Sequence, residues 1–211
     1  MPGVTTNDTQ FTTDILDDLQ SKYCIDISRI AATGKSDGAG FCNILACDAV
    51  LSTRISAFAP VSGAYYAKAS VCDPTALVNP CSAGRTDIPF LAFHGGNDTI
   101  ISYFGGPRKK ECLPFVEHFV QEWAARDGLP ASSTMAPVAN DTVKYSFGSG
   151  MNAGLVGLYF ELNIGHDWPS TEPNSDNLVA GHHVASYNAT PIIMDFFAAH
   201  PLSEHGSDGG W

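Results

Sequence analysis

A serine, an aspartate and a histidine of this sequence follow one another in an order that suits nucleophilic attack on an acyl carbonyl. The segment GKSDG at residues 34–38 matches the pattern G-x-S-x-G, which in hydrolases forms a strained turn that presents the serine between a strand and a helix. A short strand is predicted over Arg29 to Thr33, and a helix is predicted from Asp37 to about Val50. Ser36 is therefore the candidate nucleophile, and the alternative is a glycine-rich turn with an incidental serine.

Asp98 and His166 are the candidate partners of this serine, because such a nucleophile needs an imidazole base and a carboxylate that orients the imidazole. Asp98 comes shortly after a predicted strand over Ile88 to His94, so we expect it at the carboxyl edge of a parallel sheet, on the same rim as the serine. His166 follows the last predicted strand and completes the order Ser, Asp, His of the hydrolase fold. We predict Asp98 as the acid and His166 as the base.

Six further histidines compete for the role of base, namely His94, His118, His182, His183, His200 and His205. His94 belongs to the loop that presents the aspartate, and His118 lies within a predicted helix. We expect His182 and His183 to form a solvated pair or to begin a helix. The histidines lack the H-E-x-x-H spacing of a metal site, and we predict no metal and no cofactor.

The same serine motif also resembles the end of a nucleotide-binding P-loop. That motif, G-x-x-x-x-G-K-[ST], needs a glycine at position 29, where this chain has Arg29. The P-loop interpretation is therefore much weaker than the nucleophile interpretation.

Strands and helices alternate along the chain, which predicts the α/β fold class with a mostly parallel sheet and helices on both faces. Residues 1–211 are expected to form a single domain. Further strands are predicted over 55–61, 142–147 and 155–162, and further helices over about 11–23, 111–126 and 189–199. Residues 62–87 have an irregular pattern.

The charge of the chain excludes several partners. With 11 basic and 22 acidic side chains, the net charge is -11, and a field of that sign repels nucleic-acid phosphates and anionic lipids. No apolar run approaches the roughly 20 residues that a membrane span needs. We expect no nucleic-acid partner and no membrane partner.

The cysteines favour an oxidising compartment. There are 6 of them, an even number that fits three disulfides with the pairing left open. Four N-x-S/T sequons, at Asn7, Asn97, Asn140 and Asn188, agree with a secreted glycoprotein, although such short motifs are frequent. The first ten residues, MPGVTTNDTQ, have neither the basic nor the apolar region of a signal peptide.

Four segments resemble, in order, the fungal feruloyl esterases of carbohydrate esterase family 1, which are related to polyhydroxybutyrate depolymerases. The segments are ATGKSDGAGFCN, FAPVSGAYY, PFLAFHGGNDTIISYFGG and GHDWPS, and the similarity extends from about Asp8 to about His200. The resemblance implies an α/β-hydrolase fold in which Ser36, Asp98 and His166 form the triad. It also implies secretion, disulfides and no cofactor.

The resemblance further implies hydrolysis of feruloyl esters on xylan or pectin. Feruloylated arabinoxylan or pectin fragments and small hydroxycinnamate esters are the implied substrates. Acetylxylan esterases and polyester depolymerases are near neighbours in the family. From their position, we expect residues 62–87 and Trp168 to flank the acyl pocket.

The chain departs from the family before the serine motif. Relatives carry a signal peptide and several strands there, and one of the intervening loops supplies a backbone N–H to the oxyanion hole. Since Ser36 comes so early, we expect a front-truncated domain whose oxyanion hole keeps only the N–H of Asp37, with the strand over 29–33 at the edge of the sheet. The function is then a serine carboxylesterase or, alternatively, a non-catalytic remnant that retains the triad.

Overall fold

A mixed six-stranded sheet forms the centre of the computed structural model, which describes residues 6–179 and 182–203. His205 lies outside the described residues. The sheet strands are β1 (Ala31–Lys35), β2 (Ala57–Val61), β3 (Phe90–Gly95), β6 (Thr134–Ala139), β7 (Thr142–Phe147) and β8 (Val156–Glu161). Two short strands, β4 (Gly106–Arg108) and β5 (Glu111–Leu113), form a separate antiparallel hairpin.

The strand order of the sheet is β1-β2-β3-β8-β7-β6. Strands β1, β2, β3 and β8 are parallel, whereas β7 and β6 continue the sheet in antiparallel pairing. The α/β class and the mostly parallel sheet are therefore confirmed. Strand β6 was not predicted, because it lies at the edge with every residue exposed and contains Pro137, so it lacks the apolar alternation that marks a half-buried strand.

Helices cover both faces of the sheet, as predicted. They are α1 (Asp8–Lys22), α2 (Asp37–Ala46), α3 (Leu51–Arg54), α4 (Val116–Arg126) and α5 (Ala189–Ala199). The predicted helix from Asp37 to about Val50 ends early, because the Asp48 carboxylate accepts hydrogen bonds from the N–H groups of Val50 and Leu51 and begins α3 instead. The predicted helix over 111–126 begins only at Val116, since its first residues form β5.

Alternating side chains of the central strands divide the core into two layers. Phe58 and Phe90 point to one face, where they pack with residues of α2 and α4. On that face the Trp123 ring stacks on Phe90 at 4.6 Å and its indole N–H donates to the buried Asn43 side chain at 3.1 Å. Leu91 and Phe93 point to the other face and pack against α5. Because alternate side chains of a strand point to opposite faces and both faces are covered by helices, every position of a central strand is buried, and its sequence is a nearly continuous apolar run.

Strand β1 lies at one edge of the sheet, as the sequence analysis expected. Among the described residues it pairs with β2 alone, and none of its own residues is fully buried. Helix α1 has no buried residue, and its apolar side chains Phe11 and Ile15 are 63% and 40% exposed. Within the described residues no helix is both long and apolar enough to cross a bilayer.

The structure contains two disulfides, Cys47–Cys81 and Cys72–Cys112. The expectation of three disulfides is therefore wrong for this structure, because the exposed Cys24 and the buried Cys42 remain unpaired. Cys42 faces the core from α2, where burial raises the pKa of its thiol to about 12. Both bonds secure the irregular segment 62–87 to the elements that flank it.

Asp127, which ends α4, offers a test of the packing around β3. One of its carboxylate oxygens accepts a hydrogen bond from the N–H of Ile88 at 3.2 Å, and the other is buried with no hydrogen-bond partner in the described part of the chain. Burial, helped by the nearby Asp87, raises the pKa of Asp127 to about 6. The proton is bound more tightly in the folded state, so its stabilising effect is complete below the ordinary pKa of about 4 and is lost as the pH rises through the folded value.

We therefore expect Asp127→Asn to raise the melting temperature by about 2–6 °C at about pH 8 and by much less at about pH 4. Thermal unfolding monitored by circular dichroism at both pH values measures the difference. Asp195→Asn, which removes an exposed carboxylate on α5, controls for the change in net charge. An equal shift at both pH values would contradict a raised pKa at Asp127.

Candidate active site

The segment 34–38, which we call the elbow, joins the end of β1 to the start of α2. Ser36 has φ 59° and ψ -122°, and the helix begins at the next residue. A residue other than glycine in this region stores about 1–3 kcal/mol of backbone strain, and such strain is common at functional sites. The strained turn predicted from G-x-S-x-G is therefore present.

Two glycines let α2 approach the neighbouring backbone closely. A Cβ atom on Gly34 would lie 2.7 Å from the carbonyl group of Gly38, and one on Gly40 would lie 2.3 Å from the carbonyl oxygen of Ala64. A Cβ atom on Gly38 would meet nothing within 4 Å. Only the first glycine of the motif is thus required sterically, and Gly40 supplies the second close contact.

Asp98 lies in the turn after β3 and is held by backbone and side-chain donors. Its Oδ1 accepts the N–H groups of Ile100 and Ile101 at 2.8 and 2.7 Å. Its Oδ2 lies 2.8 Å from Nδ1 of His166 and 3.4 Å from Nε2 of His94. Burial on its own raises the pKa of Asp98, but the hydrogen bonds from His166 and His94 and the backbone donors outweigh it and hold the pKa well below its usual range.

The hydrogen bond between His166 and Asp98 determines the state of the imidazole. An ionised carboxylate can only accept, so Nδ1 of His166 carries the proton that is donated to Asp98. Nε2 then keeps its lone pair when the ring is neutral, and the His166 side chain is 12% exposed. The arrangement therefore presents an oriented proton acceptor at a partly open surface.

His94 was expected in the loop that presents Asp98, but it lies within β3 and is 1% exposed. Its Nε2 lies 2.8 Å from the carbonyl oxygen of Ile101, which can only accept, so Nε2 carries the proton. Nδ1 is buried with no hydrogen-bond partner among the residues that the structure describes. His94 thus supports the turn around Asp98 from below.

The loop at residues 163–169, which we call the base loop, carries His166 and is fixed from several sides. The hydroxyl of Ser62 donates to the backbone oxygen of Asp167 at 3.0 Å. The carboxylate of Asp176 accepts the N–H of Trp168 at 2.6 Å and forms an ion pair with Lys35. Because Lys35 directly precedes the nucleophile candidate, this pair links the base loop to the elbow.

His182 was expected to form a solvated pair with His183 or to begin a helix, and no helix begins there. Its Nδ1 lies 2.5 Å from Oδ1 of Asp167, whose side chain is 1% exposed. The other oxygen of Asp167 accepts the N–H of Gly165 at 3.1 Å. The expectation holds for the exposed His183 and is wrong for His182, because the buried carboxylate next to His166 needs a partner.

The structure joins Asp98 to His166 directly, whereas Ser36 is connected to them through its neighbours. No hydrogen bond links the Ser36 hydroxyl to His166 among the described residues. The backbone N–H of Ser36 donates to Val61 at 3.0 Å, and the next residue, Ser62, contacts the base loop. Catalytic hydrogen bonds are often long before a substrate binds, so this geometry is compatible with a triad.

Asp37, the predicted backbone donor to the oxyanion, is the first residue of α2. The N–H groups in the first turn of a helix have no partner within the helix, and the helix dipole favours negative charge at this end. A developing oxyanion next to Ser36 would therefore meet a backbone donor at the start of α2.

A groove of about 350 Å³ lies beside the elbow. It is lined by Asp37 and Phe41 of α2 and by Ala64 and Tyr66 of the irregular segment 62–87. Trp168, which was expected to flank the acyl pocket, packs towards α5 and donates its indole N–H to Thr190 at 2.9 Å. The groove therefore involves the irregular segment but not Trp168.

Comparisons with known proteins place the chain near one group of enzymes. No family model matches it. Feruloyl esterase B of Piromyces equi is 28% identical over 155 residues, which are 71% of this chain and 27% of that protein. Probable feruloyl esterase C of Aspergillus clavatus is 27% identical over 137 residues, which are 64% of this chain and 43% of that protein. The protein of the same name from Aspergillus niger is 30% identical over 99 residues, which are 47% of this chain and 32% of that protein.

The matched segments thus span less than half the length of each of these relatives. All three relatives carry the name feruloyl esterase, and the matches cover 47–71% of this chain. The chain is a distant relative of the fungal feruloyl esterases.

Proposed function

We propose that the chain is a serine carboxylesterase with an α/β-hydrolase fold that cleaves feruloyl esters of plant cell-wall polysaccharides. The observation that carries this proposal is the hydrogen bond of 2.8 Å between His166 and Asp98, formed on the rim where the strained turn presents Ser36. The names of the relatives support an ester hydrolase activity.

In the proposed reaction, the hydroxyl of Ser36 attacks the ester carbonyl while Nε2 of His166 takes its proton. The N–H of Asp37 stabilises the oxyanion, and the carboxylate of Asp98 stabilises the imidazolium that forms. The alcohol leaves with the proton from His166, which produces an acyl-enzyme. Water, deprotonated by the same imidazole, then releases the acid and restores the serine.

The groove beside the elbow is the proposed site for the acyl group. The aromatic rings of Phe41 and Tyr66 suit a flat hydroxycinnamoyl ring. Feruloylated arabinoxylan or pectin fragments and small hydroxycinnamate esters are the proposed substrates. The two disulfides support a secreted location, where such bonds persist.

Hydrolysis of methyl ferulate and of p-nitrophenyl acetate tests the proposal. A feruloyl esterase cleaves both compounds, whereas an acetylxylan esterase prefers the acetyl ester. Cleavage of a polyhydroxybutyrate film would instead indicate a polyester depolymerase. No turnover of any ester by protein shown to be folded would favour the non-catalytic alternative.

Ser36→Ala is expected to abolish hydrolysis, lowering kcat by at least about 10³-fold because no acyl-enzyme can form. Mass spectrometry after brief incubation with a slow aromatic ester should detect the acyl adduct in the unmodified chain and not in the Ser36→Ala variant. Ser62→Ala tests a neighbouring serine whose hydroxyl faces the base loop, and the adduct should persist in that variant. Full activity of the Ser36 variant would exclude it as the nucleophile.

Asp98→Asn is expected to lower kcat by about 10³–10⁴-fold, because the amide favours the wrong tautomer of His166. Since the pKa of Asp98 lies well below its usual range, the carboxylate stays ionised. The ionised Asp98 carboxylate stabilises the folded state above the ordinary pKa of about 4, and this stabilisation is lost only as the pH falls through the pKa of Asp98 in the folded protein. Steady-state kinetics should show the loss at every pH, whereas Asp195→Asn should show none. Activity equal to that of the unmodified chain would remove Asp98 from the triad.

Lys35→Met is expected to lower kcat by roughly 10-fold with a smaller change in KM, because the ion pair with Asp176 aligns the base loop with the elbow. Asp176→Asn should have a similar effect, and the double variant should be no worse than either single variant. The exposed pair Lys22–Asp18 on α1 supplies the control, since Lys22→Met removes an ion pair far from the site. Additive losses in the double variant would show that the two residues do not act through their mutual contact.

A further inference from the structure

Three consecutive cations form the tip of the hairpin made by β4 and β5, which we call the basic hairpin (Gly106–Leu113). They are Arg108, Lys109 and Lys110, out of only 11 basic residues in a chain with net charge -11. Both lysines are exposed, and Lys110 has no ion-pair partner within residues 6–179 and 182–203. The tip is therefore a local positive patch on an acidic protein.

The turn that presents these cations is strained. Lys109 and Lys110 have φ values of 49° and 66°, and together they form the two-residue connection between Arg108 and Glu111. A two-residue hairpin with positive φ at both positions strongly favours Asn-Gly. Two lysines here oppose the local preference of the backbone, and departures of this kind concentrate at functional sites.

The basic hairpin is attached firmly to the body of the protein. Cys112 in β5 forms a disulfide with Cys72 and exchanges two backbone hydrogen bonds of 2.9 Å with Ala67. The Arg108 guanidinium donates to the hydroxyl of Tyr66 at 3.1 Å. The position of the tip is thus fixed before any ligand arrives.

The tip lies at the mouth of the groove beside the elbow. Nζ of Lys109 lies 3.6 Å from a carboxylate oxygen of Asp37, and 5.5 Å from the centre of the Tyr66 ring. Asp37 directly follows the nucleophile candidate, and Tyr66 lines the groove. Because the Lys109 and Asp37 side chains are 60% and 71% exposed, their ion pair is weak and leaves the ammonium available to a ligand.

We propose that the basic hairpin binds a carboxylate of a uronic-acid residue in the polysaccharide that carries the ester. This inference rests on the proposed function, and it selects an acidic, pectin-like chain over a neutral arabinoxylan. The three cations outnumber the nearby carboxylates of Asp37 and Glu111. Repulsion from the rest of the protein is screened beyond about 8–10 Å at physiological salt, so the local patch determines the interaction at this rim.

The test replaces the charge while preserving the hairpin. The double variant Lys109→Asn, Lys110→Gly carries the preferred sequence of this turn, so it should fold and melt a few degrees above the unmodified chain. Lys22→Ala with Arg29→Ala removes two exposed cations elsewhere and serves as the control. Each pair of substitutions is also made in a Ser36→Ala background for binding measurements without turnover.

Binding of trigalacturonate, followed by isothermal titration or by NMR chemical shifts, is the first measurement. We expect the hairpin variant to bind at least about 10-fold more weakly than the control variant, with a difference that shrinks at high salt. Equal binding by the two variants would overturn the inference. This readout needs no catalysis, so a failure of the proposed function would not affect it.

The second measurement compares kcat/KM for feruloylated galacturonan fragments with kcat/KM for feruloylated neutral arabinoxylan fragments. The ratio should fall about 10-fold in the hairpin variant and stay constant in the control. A constant ratio in both variants, with methyl ferulate still cleaved by the unmodified chain, would refute the carboxylate site and leave the esterase proposal intact.

Discussion

The buried carboxylate of Asp98 is the point at which the strands, the turn and the base loop meet. It accepts two backbone N–H groups from its own turn and the Nδ1 proton of a histidine 68 residues further along the chain. A buried negative charge is costly unless every lone pair finds a donor. The same contacts that satisfy the charge also fix the orientation of His166, so stability and the proposed chemistry depend on one set of hydrogen bonds.

Two further aspartates, Asp167 and Asp176, fix the other side of the base loop. Asp167 binds His182 and the N–H of Gly165, and Asp176 binds Lys35 and the N–H of Trp168. Each aspartate joins a backbone group of the base loop to a side chain from a different part of the chain. The loop has no regular secondary structure of its own, and these polar contacts supply the rigidity that a helix or strand would otherwise provide.

Sequence patterns predicted the elements that are dominated by burial and missed those that depend on particular side-chain contacts. Strands β2 and β3 are buried throughout, and helix α5 begins and ends where its pattern indicates. Strand β6 escaped notice because none of its residues is buried. The order of Ser36, Asp98 and His166 was readable because each follows a strand, which places all three on one rim. The pairing of His182 with Asp167 joins residues 15 positions apart through a loop, and no periodicity records such a contact.

Because β1 lies at the edge of the sheet, the strand that precedes Ser36 is held less firmly than the strand that precedes Asp98. Asp98 follows an inner strand that is hydrogen bonded on both sides, whereas Ser36 follows a strand that is bonded on one side only within the described residues. Marginal strands open locally at a lower free energy than central ones. Warming should therefore displace Ser36 while Asp98 and His166 are still in place. Loss of the proposed hydrolysis would then precede the loss of the folded core.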